Sequence, residues 1–312
     1  MKTICFVVAT KDRPDDLGLM LESLAAQTHS PDLVIVVDSS AAPVSHVVNE
    51  FRDRLRVQYL HHLPPSASAQ RNAGIKAMPP SIDLTAFLDD DATLEPDALE
   101  RMLAFWANAP SDLGGAAFNM VNHPEQALSW LKRWPLVKVL GIYNGEPGRV
   151  MPSGWQTMTG FVLTDLHVDW LPSGAVVWRA EILRTCRFDE FYNGYSYLED
   201  LDFSYTVRRR WRLAVVADAR YYHYPSPIRH ARQYGFGKTE VRNRLYFVTQ
   251  HGLSYPKCWL GLVLRTGMTL CDAAVHFDRG VLSRVFGNCT GMAAELKSLL
   301  TKSRIPPRSE AS

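Results

Sequence analysis

The first 120 residues alternate short apolar runs with helix-like segments, and this alternation limits the possible folds more than any other feature. Residues 4–9 and 33–37 are continuous apolar runs, typical of strands buried on both faces of a sheet. Between them, Leu17, Leu21 and Leu24 recur at helical spacing. Further strands are predicted at 57–60 and 85–88, and further helices at 69–77 and 96–107. We therefore expect an α/β fold, in which a mostly parallel sheet carries helices on both faces.

Composition excludes several classes of protein. With 46% hydrophobic and 21% charged residues among 312, the chain can bury a large core and is neither disordered nor collagen-like. A net charge of +2 predicts no nucleic-acid partner. The five cysteines include no close pair, which favours a reduced cytoplasmic location. Because Arg265 and Asp272 interrupt the most apolar stretch, no membrane-spanning helix is expected.

The chain is predicted to have three parts. Residues 1–224 would form the α/β domain, within which 121–160 has no clear pattern and is expected to be an insertion or a lid. The composition then changes to a basic helical pattern, so 225–300 is predicted to be a C-terminal helical region. Residues 301–312, with two prolines, are predicted to be a disordered tail.

Three predicted strands end in polar residues, at Thr10 to Arg13, at Asp38, and at Asp89-Asp90-Asp91. Ligands of open α/β sheets bind at the carboxyl ends of the strands. Adjacent carboxylates repel one another unless a cation balances them, and oxygen ligands favour Mg²⁺ or Mn²⁺ over Zn²⁺. A metal with a phosphate-bearing ligand is therefore expected. Asp-rich turns also cap helices, and for this run alone that alternative stays open.

A second acidic cluster, Glu199-Asp200-Leu201-Asp202, precedes the basic run that begins at Arg208. Acidic residues commonly occupy the first turn of a helix, where the dipole favours them. His223 lies in an aromatic strand-like run, where a histidine is more often packed in the core than bound to a ligand. The order of these clusters along the chain, rather than any one of them, points to a function.

That ordered set resembles family 2 of the glycosyltransferases, inverting enzymes of the GT-A fold that use nucleotide sugars to build polysaccharides and glycolipids. The matching segments are 7–14, 36–40, 70–74, 87–91, 171–175, 198–202, His223 and 242–246. Two positions depart from the family pattern. Ser follows Asp38 where Asp or Asn is usual, and Gln70 replaces a small residue.

The resemblance implies roles for particular residues. Asp200 would be the general base that deprotonates the acceptor hydroxyl, and Glu199 would position the acceptor. A Mn²⁺ or Mg²⁺ ion would be held by Asp91 and Asp89, with His223 completing the site. The implied binding residues for the nucleotide and the donor sugar are Thr10, Asp12, Arg13, Asp38, Arg71, Asp89, Asp90, Ser173 and Gly174.

The implied activity is transfer from a nucleotide-diphosphate sugar, with UDP as the default, to a glycan or lipid-linked acceptor in bacterial cell-envelope or polysaccharide biosynthesis. Two alternatives stay open. One is a nucleotidyltransferase-like enzyme, although the chain has no Gly-rich phosphate loop followed by Lys. The other is a non-catalytic module that binds nucleotide sugars on the same fold.

The segment 257–276 has an amphipathic helical pattern. Leu260, Leu264 and Val275 share one face, whereas Arg265 shares another with further polar residues. Peripheral contact with a membrane, a homodimer contact and docking onto the catalytic domain are all compatible with this pattern. We expect the protein in the cytoplasm, with the inner face of the cytoplasmic membrane as the alternative location.

Overall fold

The computed structural model describes residues 2–123, 135–194, 196–225 and 230–300. It divides the chain into two compact units, Met1–Pro124 with Thr159–Ser226, and Glu125–Met158 with Pro227–Ser312. The segment expected as an insertion therefore groups largely with the C-terminal helices. The predicted tail 301–312 lies outside the described residues.

Nine strands and ten helices are present in the described residues. The strands are β1 (Ile4–Thr10), β2 (Leu33–Asp38), β3 (Val57–His61), β4 (Leu84–Leu88), β5 (Ala92–Leu94), β6 (Leu113–Met120), β7 (Leu166–Val168), β8 (Ala175–Arg179) and β9 (Arg212–His223). The helices are α1 (Pro14–Ala25), α2 (Ser45–Asn49), α3 (Ala67–Ala77), α4 (Ala98–Ala107), α5 (Pro135–Val139), α6 (Ala180–Thr185), α7 (Glu199–Val207), α8 (His230–Gln250), α9 (Tyr255–His276) and α10 (Arg279–Leu300).

The first unit is built on one sheet in the order β3-β2-β1-β4-β8-β6-β9-β5, with β7 also paired to β9. The α/β class is confirmed. Strands β3, β2, β1 and β4 are mutually parallel, whereas β8 runs antiparallel between β4 and β6. Strands β5 and β7 are antiparallel to β9, so the described sheet is mixed, with parallel and antiparallel pairs in equal number.

The apolar runs form central strands because they can fill the core on both sides of the sheet. Along β2, Val34 and Val36 face one buried cluster, and Ile35 and Val37 face the other. The parallel register pairs Thr10 of β1 with the last residue of β2. The polar residues that follow these strands are therefore gathered at one edge of the sheet.

The second unit contains the three long helices α8, α9 and α10. Helices α8 and α10 approach closely at Gly237, where an added Cβ would overlap the carbonyl oxygen of Arg284. Nearby, the buried Glu240 accepts hydrogen bonds from Arg284, at 2.9 Å and 3.1 Å, and from Asn288 at 3.0 Å. This charged network has its partners within the unit, as a buried carboxylate requires.

Helix α9 is long and apolar. By length and composition it could cross a membrane, with a mean hydropathy of 1.3 over its best window and 28% of that window buried. Arg265 and Asp272 both lie within this helix, and the expectation that it does not span a membrane stays a prediction.

Candidate active site

Most of the predicted site residues come together at the carboxyl edge of the sheet in the first unit. They follow β1 and β4, precede β8, begin α7 and end β9. The antiparallel register of β5 and β9 pairs Ala92 with His223, and this pairing brings the histidine beside the Asp run. Asp91 and His223, 132 positions apart in the chain, therefore lie in contact.

Asp90 and Asp91 are held by Thr10 at the end of β1 and by Arg13, which follows β1. Thr10 Oγ1 donates to Asp90 Oδ2 at 2.8 Å, and Arg13 Nη1 donates to Asp90 Oδ1 at 3.0 Å and to Asp91 Oδ2 at 2.8 Å. Burial raises the pKa of Asp90 to about 6 in spite of Thr10 and Arg13. Burial acts on Asp91 as well, but hydrogen bonding and attraction to His223, together with Arg13, bring the pKa of Asp91 below its usual value.

Asp89, Asp91 and His223 form a candidate metal centre. Each offers one ligand atom, and these atoms lie within 4.8 Å of one another. His223 Nε2 is 3.0 Å from Asp91 Oδ1, and this contact raises the pKa of His223 although burial opposes it. Two carboxylates suit Mg²⁺ or Mn²⁺, and an imidazole in the set favours Mn²⁺. The residues present therefore fit a divalent cation of this kind.

Arg71 connects the Asp run to the second acidic cluster. Its side chain is buried, and Nη2 donates to Asp89 Oδ1 at 2.9 Å while Nη1 donates to Glu199 Oε1 at 2.6 Å. Gly174 lies against the same carboxylate, since an added Cβ would be 3.3 Å from Asp89 Oδ2. Ser173 Oγ donates to Glu199 Oε1 at 3.4 Å. The Arg71 guanidinium thus links Asp89, a candidate metal ligand, to Glu199, the neighbour of the candidate general base Asp200.

Glu199 and Asp200 open helix α7 after Leu198, whose φ of 77° is left-handed. This turn puts both carboxyl groups in the first turn of the helix. Burial, followed by the negative charge of Asp200, raises the pKa of Glu199 to about 8, with Arg71 opposing the shift. Burial also raises the pKa of Asp200. A carboxylate with a raised pKa is a stronger base near neutral pH.

Asp38 and Asp12 make hydrogen bonds with the turn after β2, and not with the Asp89–Asp91 run. Asp38 is fully buried, and its oxygens accept hydrogen bonds from the backbone N–H of Ser40 at 2.7 Å, the N–H of Val44 at 2.9 Å and the hydroxyl of Tyr59 at 2.6 Å. Burial would raise the pKa of Asp38, but these donors lower it. Asp12 is exposed and accepts from a backbone N–H of the turn after β2. Both residues organise this turn, and their contact with a nucleotide stays a prediction.

The sequence did not predict the structural roles of two residues at the site, Gln70 and Asn122. Gln70 is buried, and its Nε2 donates to the carbonyl oxygens of Thr10 at 2.9 Å and Val37 at 2.8 Å, which ties the ends of β1 and β2 together. Asn122 exchanges two hydrogen bonds, at 2.8 Å and 2.9 Å, with the backbone of His223. The departure of Gln70 from the family pattern was the available signal for the first. Nothing in the sequence pointed to the second.

Comparison with known proteins decides the family. The model of "Glycosyl transferase family 2" matches residues 5–161, half of the chain. This chain belongs to glycosyltransferase family 2. The family assignment confirms the resemblance predicted above.

Among curated proteins, this family 2 member is 28% identical over 214 residues to a validoxylamine A glucosyltransferase of Streptomyces hygroscopicus subsp. limoneus, covering 64% of the chain and 47% of the relative. It is 33% identical over 100 residues to a glucosyl-dolichyl phosphate glucuronosyltransferase of Haloferax volcanii, covering 32% of each. The chain thus spans about half of the first relative and a third of the second.

Two solved structures show the same GT-A fold. TarS of S. aureus, residues 1–349 in complex with UDP, superposes with a TM-score of 0.54 at 20% identity, covering 82% of this chain and 68% of that one. The mannosyltransferase PcManGT of Pyrobaculum calidifontis, in complex with GDP-Man and Mn²⁺, has a TM-score of 0.53 at 14% identity, covering 96% of this chain and 88% of that one.

Proposed function

We propose that this family 2 member is an inverting, metal-dependent glycosyltransferase. It transfers a sugar from a UDP-linked donor to a hydroxyl of a glycan or lipid-linked acceptor in polysaccharide or cell-envelope biosynthesis. One observation carries the proposal: Arg71 joins Asp89, part of the candidate metal set, to Glu199, the neighbour of the candidate base. Arg71 thereby fixes the position of the residues that stabilise the leaving group relative to the residues that activate the acceptor.

On the donor side, Asp89, Asp91 and His223 would hold Mn²⁺ or Mg²⁺, which neutralises charge on the departing diphosphate when bound. Arg13 already balances Asp90 and Asp91, so these carboxylates keep their orientation. In the proposed site, Asp90 faces the ribose of the nucleotide. Solved neighbours support such a donor, because TarS was solved with UDP and PcManGT with GDP-Man and Mn²⁺.

On the acceptor side, Asp200 takes the proton of the attacking hydroxyl. A single displacement at the anomeric carbon inverts its configuration and needs one base, in contrast to the two carboxylates of a retaining hydrolase. The raised pKa of Asp200 suits this task. Glu199, held by Arg71 and Ser173, positions the acceptor.

The proposed cellular location and binding partners of the enzyme follow from the sequence predictions. We propose a cytoplasmic enzyme with no nucleic-acid partner. The lipid-linked class of acceptor would place it at the inner face of the cytoplasmic membrane.

The experiment incubates the protein and Mn²⁺ with UDP-glucose, UDP-N-acetylglucosamine or GDP-mannose, and measures the released nucleotide. Proton NMR then records the anomer of the released or transferred sugar. Asp200→Asn should lower turnover by about 10²–10⁴-fold and leave UDP binding unchanged, because it removes the base alone. Asp218→Asn, at an exposed position of β9, is the matched control.

Three results would contradict the proposal. Retention of the anomeric configuration excludes a single displacement. A requirement for a nucleoside triphosphate favours the nucleotidyltransferase alternative. Equal turnover of Asp200→Asn and wild type removes the base from the mechanism.

A further inference from the structure

The C-terminal helices carry a continuous apolar surface. The large exposed side chains on α9 and at its end are Leu260, Val263, Leu264, Leu270, Val275 and Phe277. We call this set the hairpin surface. Phe277, at the tip between α9 and α10, is 91% exposed. Contiguous apolar patches of this kind mark sites of contact with a protein or a membrane.

The hairpin surface is free of charge along its length. Between residues 258 and 275, every exposed residue of α9 is apolar, glycine or cysteine. The charged residues in this stretch, Arg265 and Asp272, are partly buried beside it. An ordinary solvent-facing helix carries charged residues on its outer face, so this face is built for an apolar environment.

The opposite face of α9 is packed against its own unit. Cys258, Leu262 and Thr266 are buried, and Gly261 lies so close to the indole of Trp155 that an added Cβ would overlap it. A helix that spans a bilayer alone would expose this face to lipid. Because one face is packed and the other is apolar and exposed, the geometry suits a helix that lies in the plane of an interface.

The net charge of each unit distinguishes between two partners that could cover the hairpin surface, a second copy of this chain and an anionic membrane. The unit that contains it, Glu125–Met158 with Pro227–Ser312, has 17 Lys/Arg and 7 Asp/Glu, a net charge of +10. The other unit has 17 Lys/Arg and 25 Asp/Glu, a net charge of −8. Two copies joined at this surface would bring two strongly basic units together. An anionic lipid surface has the complementary charge.

We propose that the hairpin surface docks this unit onto an anionic lipid bilayer, with α9 parallel to the membrane plane. The apolar side chains enter the boundary of the acyl region, and the basic residues of the unit attract the lipid phosphates. The inference goes beyond the proposed function and does not rest on it, because docking requires neither a donor sugar nor an active site.

The test is cosedimentation of the full chain with phosphatidylcholine vesicles, with and without about 30% phosphatidylglycerol. We expect binding to the anionic vesicles, weakened by high salt because the attraction is screened. Val263→Glu with Leu270→Glu should lower the partition coefficient by about 10²-fold, since each apolar side chain that enters the membrane contributes roughly tenfold.

The matched control is Leu19→Glu with Leu163→Glu, which likewise replaces two exposed aliphatic side chains by glutamate, but in the other unit. It should bind as the wild type does. The melting temperature of each variant is measured first, so that a loss of binding is not a loss of fold.

Four outcomes would overturn the proposal. These are no binding of wild type to anionic vesicles, equal binding of both double variants, and binding that alkaline carbonate fails to reverse, which indicates a spanning helix. The fourth is a lipid-free dimer that Val263→Glu with Leu270→Glu converts to a monomer, which assigns the surface to a second copy. Nucleotide release measured in parallel keeps this result separate from that of the proposed activity.

Discussion

Arg71→Met tests the charge balance of the active site most sharply. Arg71 is 5% exposed and makes ion pairs of 2.6 Å with Glu199 and 2.9 Å with Asp89. Methionine fills a similar volume without charge. The variant therefore leaves the acidic cluster, including Asp200, without its central cation.

The size of the effect depends on pH. The folded-state pKa of Glu199, about 8, lies above its ordinary value of 4.5, so the contribution of Glu199 to wild-type stability is lost as the pH rises from 4.5 to 8. At pH 9, Glu199 is ionised in wild type, and removing its buried partner should cost about 3–5 kcal/mol. At pH 6, Glu199 is protonated. Arg71→Met then removes a hydrogen bond from the charged Arg71 to the neutral Glu199 carboxyl group, which should cost about 2 kcal/mol of stability. Asp89, with its side chain 33% exposed, adds little to either value.

The assay is urea unfolding followed by tryptophan fluorescence at pH 6 and pH 9. Arg101→Met is the control, because it breaks an ion pair with Asp97 at the surface. Its effect should be small and equal at the two pH values, since salt bridges in solvent contribute little. Destabilisation by Arg71→Met that is no greater than that by Arg101→Met, or that does not grow at high pH, would contradict this role of Arg71.

Three further predictions follow from the same geometry. Gly174→Ala places a methyl group 3.3 Å from Asp89 Oδ2 and should weaken Mn²⁺-dependent UDP binding by roughly tenfold in calorimetry, whereas Gly18→Ala, with 3.8 Å to its nearest neighbour, should not. Gln70→Leu removes the two hydrogen bonds from Gln70 Nε2 to the carbonyl oxygens of Thr10 and Val37 and should lower the free energy of unfolding by about 1–3 kcal/mol; an unchanged urea midpoint contradicts this. Activity should fall as pH drops through the raised pKa of the Glu199 and Asp200 pair, and Glu199→Gln should move this acid limb to lower pH by removing the like charge; an unmoved limb excludes the coupling.

The parallel half of the fold was predictable because its signals are local. The runs that became β1 and β2 are apolar without interruption, and parallel strands collect the residues after them at one edge. The same logic predicted that Thr10, Arg13 and the Asp run would meet. The antiparallel partners of β8 and β9 were not predictable, since pairing between distant segments leaves no periodic signal.

The details of the site depend on long-range contacts that a motif does not contain. The sequence predicted His223 as a metal ligand by resemblance, but its place beside Asp91 depends on the register of β5 with β9. Asp38 illustrates the opposite case. Its strand-end position was correctly predicted, yet its three hydrogen-bond donors come from a turn and from Tyr59 on the next strand.

The proposed activity depends on a metal-dependent nucleotide site at Asp89, Asp91 and His223. The most direct test is the melting temperature of wild type and Asp91→Asn with UDP, with Mn²⁺, and with both. At UDP concentrations about a hundredfold above its dissociation constant, ligand binding stabilises the folded state by about 2.7 kcal/mol, which raises the melting temperature by a few degrees. We predict this rise for wild type with UDP and Mn²⁺ together, and its loss in Asp91→Asn. A rise with UDP that is equal without Mn²⁺, or that survives in Asp91→Asn, would contradict a metal-dependent nucleotide site at these residues.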